Sequence, residues 1–323
     1  MGNSRVMRFD MPLRAERPPV LSEELGIARL LERQATSHRI DVTVVDTPDA
    51  RLLRAGVTLA HRVLGGMGTW YLAAPGWEPL LPAERVVALE SRGELPAGFQ
   101  RLIQPIIRHA ALAPMAVLAC ERSEYQLQGV NGTLADVRDE RVTVSRDDGI
   151  SEYREASITP SPLLTRPQRR FLSAAMEAVG AAGVGSFPTL QERLGPPATG
   201  GTDFPEVAPL RREASMEEFA THVFAKDLRR LVEALYRDDD AVARALDEVR
   251  NHVRGLSNVL DPGWLAAVEE SLSEPPGAAA LKVLDSLVSA VHAPRLGDVS
   301  QEPAAELLLR RVRQGGPPPG PRP

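Results

Sequence analysis

The chain has 323 residues, 43% of them hydrophobic, enough for two domains with cores of their own. A formal charge of −5 and a pI near 5.8 argue against a general nucleic-acid binder, which needs positive charge to displace counterions from phosphates. The single cysteine, Cys120, excludes an internal disulfide framework and a zinc site built from several thiolates, and it reads as a small buried hydrophobe.

The first ten residues lack the continuous apolar run of a signal peptide, and Val6 stands where a myristoylation signal has Ser or Thr. No stretch approaches 18 apolar residues, so no membrane span is expected, and the chain reads as a reduced, cytoplasmic protein. Lys226 and Lys282 are the only lysines; the use of Arg elsewhere fits codon bias in a GC-rich genome.

The first half reads as strands. Arg39–Asp46 alternates, with Ile40, Val42 and Val44 on one face. Gly56–Val63, Thr69–Ala74, Arg85–Glu90, Met115–Glu121, Glu140–Ser145 and Ile150–Ile158 follow, separated by the turn signals Gly65-Gly66, Pro75-Gly76, Asn131-Gly132 and Asp148-Gly149. The Gly65–Gly68 run reads as a hairpin turn and not a phosphate loop. This spacing predicts a closed or nearly closed antiparallel barrel. Two helices are predicted within it, near Gly98–Ala111 and Pro167–Ala182. Residues 196–214, rich in Pro, Gly and Thr, read as a linker.

The second half, 215–314, reads as a helical bundle. Ser215 and Glu218 form a capping box, and Asp261-Pro262 supplies an N-cap followed by Pro at N1. Val242, Leu246, Val249, Val253, Leu256 and Leu260 make one buried stripe, Leu281, Leu284, Val288 and Val291 another, and Leu307, Leu308 and Val312 a last. Residues 315–323 are expected to be disordered.

Six segments in order carry a resemblance: Asp46-Thr47-Pro48-Asp49, Arg54–Leu59, Trp70-Tyr71-Leu72, Arg122–Tyr125, Ala135–Glu140 and Tyr153-Arg154-Glu155. Together they resemble the CYTH pattern over about residues 1–195. The resemblance implies an antiparallel barrel whose tunnel holds triphosphates, with Arg and Lys on the phosphates and carboxylates on Mg²⁺ or Mn²⁺. Alternation would place residues two apart on the same inner face.

Much of that set is replaced here. Where the family has two carboxylates and a cation on its first strand, the chain has Ser4, Val6 and Arg8. Two phosphate cations become Ala60 and Ala73, and two carboxylates become Ser157 and Thr159. The resemblance therefore leaves Arg8, Arg62 and Arg122 as residual phosphate ligands and Asp136 and Glu155 as metal ligands, with Asp139 and Glu140 also at acidic positions. Arg62 and Arg122 can equally pair with Glu155 or Asp136 and bind nothing. His61, His109 and His222 have no neighbours at metal-ligand spacing.

Asp247–Leu256 resembles a CHAD helix, the polyphosphate-binding type of helical module, with Arg250 and Arg254 at its cationic positions. Only about half the usual CHAD length follows, and Ser215–Leu260 holds seven basic against nine acidic residues, a poor groove for a polyanion. The combined expectation is an α+β chain: a CYTH-like barrel with a shortened CHAD-like bundle. It would bind a triphosphate, nucleotide or polyphosphate, or a protein partner, without efficient catalysis. The alternative is a divergent triphosphatase using Mg²⁺ or Mn²⁺ at Asp136 and Glu155, and a third reading is a purely structural partner protein.

Overall fold

A computed structural model describes residues 5–34, 36–88, 94–207, 209–293, 296 and 304. Ser4, the end of the strand expected at Glu90, the stripe Leu307–Val312 and the expected disordered tail lie outside the described residues.

In chain order the elements are β1 (Met7–Met11), β2 (Ile27–Glu32), β3 (His38–Asp46), α1 (Arg51–Arg54), β4 (Thr58–Leu64), β5 (Met67–Ala73), β6 (Glu84–Ala88) and α2 (Ala97–Ile107). Then come β7 (Ala113–Gly129), β8 (Gly132–Arg146), β9 (Gly149–Pro160), α3 (Arg166–Ala178), β10 (Ala182–Val184) and α4 (Leu190–Leu194). The last four helices are α5 (Met216–Leu235), α6 (Asp239–Leu256), α7 (Pro262–Leu272) and α8 (Pro276–His292). The chain divides into two compact units, one of Met1–Gly76, Pro82–Pro96 and Leu112–Thr199, the other of Trp77–Leu81, Ala97–Ala111 and Gly200–Pro323.

The first unit is one ten-stranded antiparallel sheet in the order β10-β1-β9-β8-β7-β3-β4-β5-β6, with β2 also on β7. Of the closed or nearly closed barrel expected, the closure is not formed among the described residues. β3 pairs with the first part of β7 and β2 with its last residues, so the sheet forks at β7. Its branches end on short strands, and among the described residues β6 and β10 do not pair with each other. The β4–β5 turn was legible: Gly65 and Gly66 both have positive φ, as a tight hairpin of the right twist demands.

Alternation gives this sheet two different faces. On one, Phe9, Met11, Ile27, Leu127, Ala156 and Ile158 pack under α3, anchored by Leu172 and Met176. Thr165 starts α3 with a capping box. On the other, Val44, Ala116, Leu118, Val142 and Val144 pack with Leu53 of α1 and Leu194 of α4. Apolar burial at 25 cal/mol per Å² makes each cluster a main source of cohesion.

In the second unit Phe224, Leu228, Leu231, Val249, Val253, Leu284 and Leu287 form a single core shared by α5, α6 and α8. The capping box at Ser215 and the cap at Asp261 stand as read. Helix α2, expected among the strands, belongs to this unit: Tyr236 donates to the Leu102 carbonyl at 2.8 Å, and Arg108, at its end, pairs with Asp203 at 2.6 Å and Asp285 at 2.5 Å. The stretch expected as a linker is also packed, with Ala198 buried in the first unit and Asp203 in the second.

Candidate functional site

Residues directly opposite in an antiparallel ladder share a face. Arg8 lies opposite Ser157, Arg138 opposite Ser157 and Glu124, Asp136 opposite Thr159, and Glu140 opposite both Arg122 and Glu155. Arg62 lies opposite Val42, which lies opposite Leu118 on the same side as Arg122. The register thus sets Arg8, Arg62, Arg122, Asp136 and Glu155 on one face, together with Ala60, Ala73, Ser157 and Thr159.

That face is polar at one end and filled at the other. Ala60 is fully buried, and beside it Val44, Ala116 and Leu118 pack with α4. Thr189 caps α4, and from this helix Arg193 reaches Glu155 at 2.5 Å and lies over the Tyr153 ring at 4.0 Å. Burial pushes the Glu155 carboxyl above its ordinary range against the opposing pull of Arg193, and burial with the nearby Glu155 charge pushes the Tyr153 phenol up to about 12.

The polar end encloses a cavity of about 520 Å³, lined by Arg8, Arg33, Arg138, Glu124, Asp136 and Glu140, with the hydroxyls of Ser157 and Thr159 and the apolar Val6, Val137 and Phe187. Its charges are largely spent on one another. Arg122 holds Glu140 at 2.6 Å, Arg138 holds Glu124 at 3.1 Å, and Arg33 lies 3.5 Å from Asp136 with both heads about half exposed. The Glu124 carboxyl is held below its ordinary range: its partial burial acts upward, and hydrogen bonding by Thr36 with the charge of Arg138 outweighs it. Arg8 is different. Among the described residues its side chain makes no hydrogen bond or ion pair, and Arg8 lines the cavity.

The pairing expected for Arg122 with Glu155 or Asp136 is therefore made with different partners, and Arg62 instead stacks on Tyr71 at 3.2 Å. Asp136 and Glu155 do not meet: they sit opposite Thr159 and Glu140, four residues apart along the sheet, or about 13 Å. Among the described residues no group of three His, Cys, Asp or Glu side chains is placed to hold a metal ion. Hard divalent cations need several oxygens around one point, and Asp136 and Glu155 stand apart, held by Arg33 and Arg193. The donor set does not fit Mg²⁺ or Mn²⁺.

Cys120, expected to be buried, is half-buried on this face, 3.9 Å from Glu140. Burial and the Glu140 charge push its thiol up to about 11, so it is no thiolate nucleophile at neutral pH. Asp46 of the Asp-Thr-Pro-Asp segment faces away from ligand chemistry: it is 1% exposed and accepts from the amides of Thr47 (2.6 Å), Leu52 (2.9 Å) and Leu53 (2.8 Å), holding α1 to the end of β3.

In the second unit Arg250 is engaged by Asp247 and donates to the Leu272 carbonyl at 2.9 Å, while Arg254 is exposed. Unforeseen there is Asp227, 2% exposed, whose carboxylate meets His252 Nδ1 at 2.8 Å. Arg33, Arg138 and Arg193 were also missed. Arg138 was readable, since it stands two residues from both Asp136 and Glu140 on one strand; Thr189 and Glu192 were a readable capping signal for the helix that carries Arg193.

No protein-family model matches the chain. Two uncharacterised proteins from strains of Mycobacterium tuberculosis are 28% identical over 120 residues, 36% of this chain and 23% of their own length. The chain thus spans about a quarter of the curated relatives it matches. Among solved structures, a candidate adenylate cyclase of Bacillus halodurans is 14% identical over 52% of this chain and 96% of its own, with a TM-score of 0.31. A candidate adenylyl cyclase of Hippeastrum, described as having a dominant triphosphatase activity, is 13% identical over 58% and 94%, with a TM-score of 0.30. TM-scores near 0.3 establish neither a shared fold nor a shared activity. No described helix is long and apolar enough to cross a membrane.

Proposed function

We propose that the first unit is a CYTH-like domain that binds a phosphorylated small molecule on the polar end of its sheet and does not process it efficiently. The observation that carries this reading is the unpartnered Arg8 guanidinium in a 520 Å³ cavity beside Arg33 and Arg138. Cavities of this size take drug-sized ligands. An Arg fork matches phosphate oxygens in a bidentate way, and a charge-assisted bond of that kind is roughly twice as strong as a neutral one.

Support for the CYTH-like reading comes from the register, which gathers Arg8, Arg62, Arg122, Asp136, Glu140 and Glu155 onto one face, while Asp139 turns to the other and pairs with Arg154. Efficient turnover is disfavoured because Ala60 and Ala73 remove two charges that would stabilise a phosphoryl transition state, and removal of one such donor in a desolvated site costs about 3 kcal/mol. For the helical unit, a CHAD-like polyphosphate role is weakened by the engagement of Arg250.

Titration calorimetry of the full chain tests the reading, with a panel running from inorganic phosphate and AMP to ATP, triphosphate and polyphosphate. Binding to at least one probe that is lost in Arg8→Ala is expected. No heat from any of them would overturn it.

A further inference from the structure

Resting on that binding reading, the replaced carboxylates and the charge balance of the cavity point to a narrower ligand. We infer that the site takes a single phosphate group, as in a phosphomonoester, and takes it without a divalent cation.

Metal-assisted phosphate binding needs carboxylates gathered near one point. Here the register separates Asp136 from Glu155, and Glu124, Asp136, Glu140 and Glu155 are each held by a guanidinium, while Asp10 stands beside Glu155 at the far side of the face from Asp136. The two positions where the resemblance places further carboxylates carry the hydroxyls of Ser157 and Thr159, and both line the cavity. A hydroxyl donates to a phosphate oxygen where a carboxylate repels it. The substitutions thus convert a metal-holding edge into an anion-holding one, with Arg8 directly opposite Ser157.

Charge sets the size of the anion. The cavity lining itself balances, with Arg8, Arg33 and Arg138 against Glu124, Asp136 and Glu140; Arg122, outside the lining, takes up Glu140, so all three carboxylates are paired and Arg8 is not. One positive charge is left. A phosphomonoester carries about 1.5 to 2 negative charges near neutral pH and is nearly matched. A triphosphate brings about four and would leave most of them uncompensated beside three carboxylates, so the second and third phosphates gain nothing.

The experiment is calorimetry of the full chain with AMP, ADP and ATP, each in EDTA and in excess Mg²⁺. AMP should bind with an affinity that changes less than twofold between EDTA and Mg²⁺, and ADP and ATP should bind no tighter than AMP. Arg8→Ala should weaken AMP at least tenfold, with unchanged circular dichroism. The double variant Ser157→Ala with Thr159→Ala, which leaves the strand pairing intact, should weaken it several-fold. Returning carboxylates through Ser157→Glu with Thr159→Glu should abolish AMP binding in EDTA. ATP binding tenfold tighter than AMP and only with Mg²⁺ would overturn this inference and leave the broader binding reading standing. No binding of any of the three nucleotides overturns this inference, and silence of inorganic phosphate, triphosphate and polyphosphate as well overturns the broader reading with it.

Discussion

Replacing Asp46 by Ala isolates the architectural content of the Asp-Thr-Pro-Asp segment. Its carboxylate accepts from the amides of Leu52 and Leu53, at the start of α1, and from Thr47, all in a place 1% exposed to solvent. Loss of a helix-capping acceptor costs about 1 kcal/mol, and a buried donor left without a partner costs about 1–3 kcal/mol. With the amides of Leu52 and Leu53 both stranded and partial relaxation of a short helix, a loss of about 3 kcal/mol follows. For a unit of this size 1 kcal/mol is about 2–4 °C, so the first unit's transition in scanning calorimetry should fall by roughly 6–12 °C. Burial raises the Asp46 pKa above its ordinary value against the pull of the three amides. A carboxyl whose folded pKa is raised contributes most below its unfolded value and loses that contribution as pH rises through the folded one. The difference between the chain and Asp46→Ala should accordingly be larger at pH 4 than at pH 7. A change below 0.5 kcal/mol, or a difference that grows with pH, would refute the assignment of Asp46 as a buried cap; ligand binding at Arg8 should be untouched by the change.

Arg193→Ala removes the cation beside Glu155 and should push that carboxyl, already raised by burial, further up, as read by carboxyl chemical shifts through a pH titration. His252→Ala leaves the buried Asp227 without its imidazole and should destabilise the second unit by about 2–4 kcal/mol in urea, with Asp227→Asn in the same background recovering part of the loss. Phe224→Ala, in the core shared by α5 and α8, should cost about 3–5 kcal/mol, and an effect below 1 kcal/mol would contradict the packing described. Phosphate release from triphosphate with Mg²⁺ or Mn²⁺ should be slow, and any rate should survive Glu155→Ala, because Glu155 is held by Arg193 about 13 Å along the sheet from Asp136.

Strand positions were legible wherever alternation was strong, as in His38–Asp46, and turns wherever glycine was required, as at Gly65-Gly66. Helices α5 and α7 were legible from their caps at Ser215 and Asp261, and α6 and α8 from their apolar stripes, α8 having no side-chain cap. The strand Ile27–Glu32 was not, because its partner is the distant end of β7 and its exposed residues do not alternate cleanly. Barrel closure was inferred from the number of strands, yet closure depends on pairing between β6 and the opposite edge, which no local pattern encodes. In the site, residue identity located Arg8, Arg122, Asp136 and Glu155 on a face, but which charge neutralises which is decided across strands. Arg122 finds Glu140 and not Glu155 because Glu140 lies directly opposite it.

That cross-strand pairing also explains how several cations can share this face without a bound ligand. A guanidinium in a half-enclosed place needs an anion, and removing one side of such a pair strands the other. Among the described residues Glu124, Asp136 and Glu140 are held by Arg138, Arg33 and Arg122, which leaves Arg8 as the cavity cation without an ion pair. An unpaired guanidinium opposite a serine hydroxyl is stable in water and better satisfied by a phosphate. If Arg8 were instead structural, Arg8→Gln would lower the first unit's stability with or without AMP. If it is the ligand's counterion, Arg8→Gln should leave the ligand-free transition within about 0.5 kcal/mol and erase the stabilisation that AMP confers.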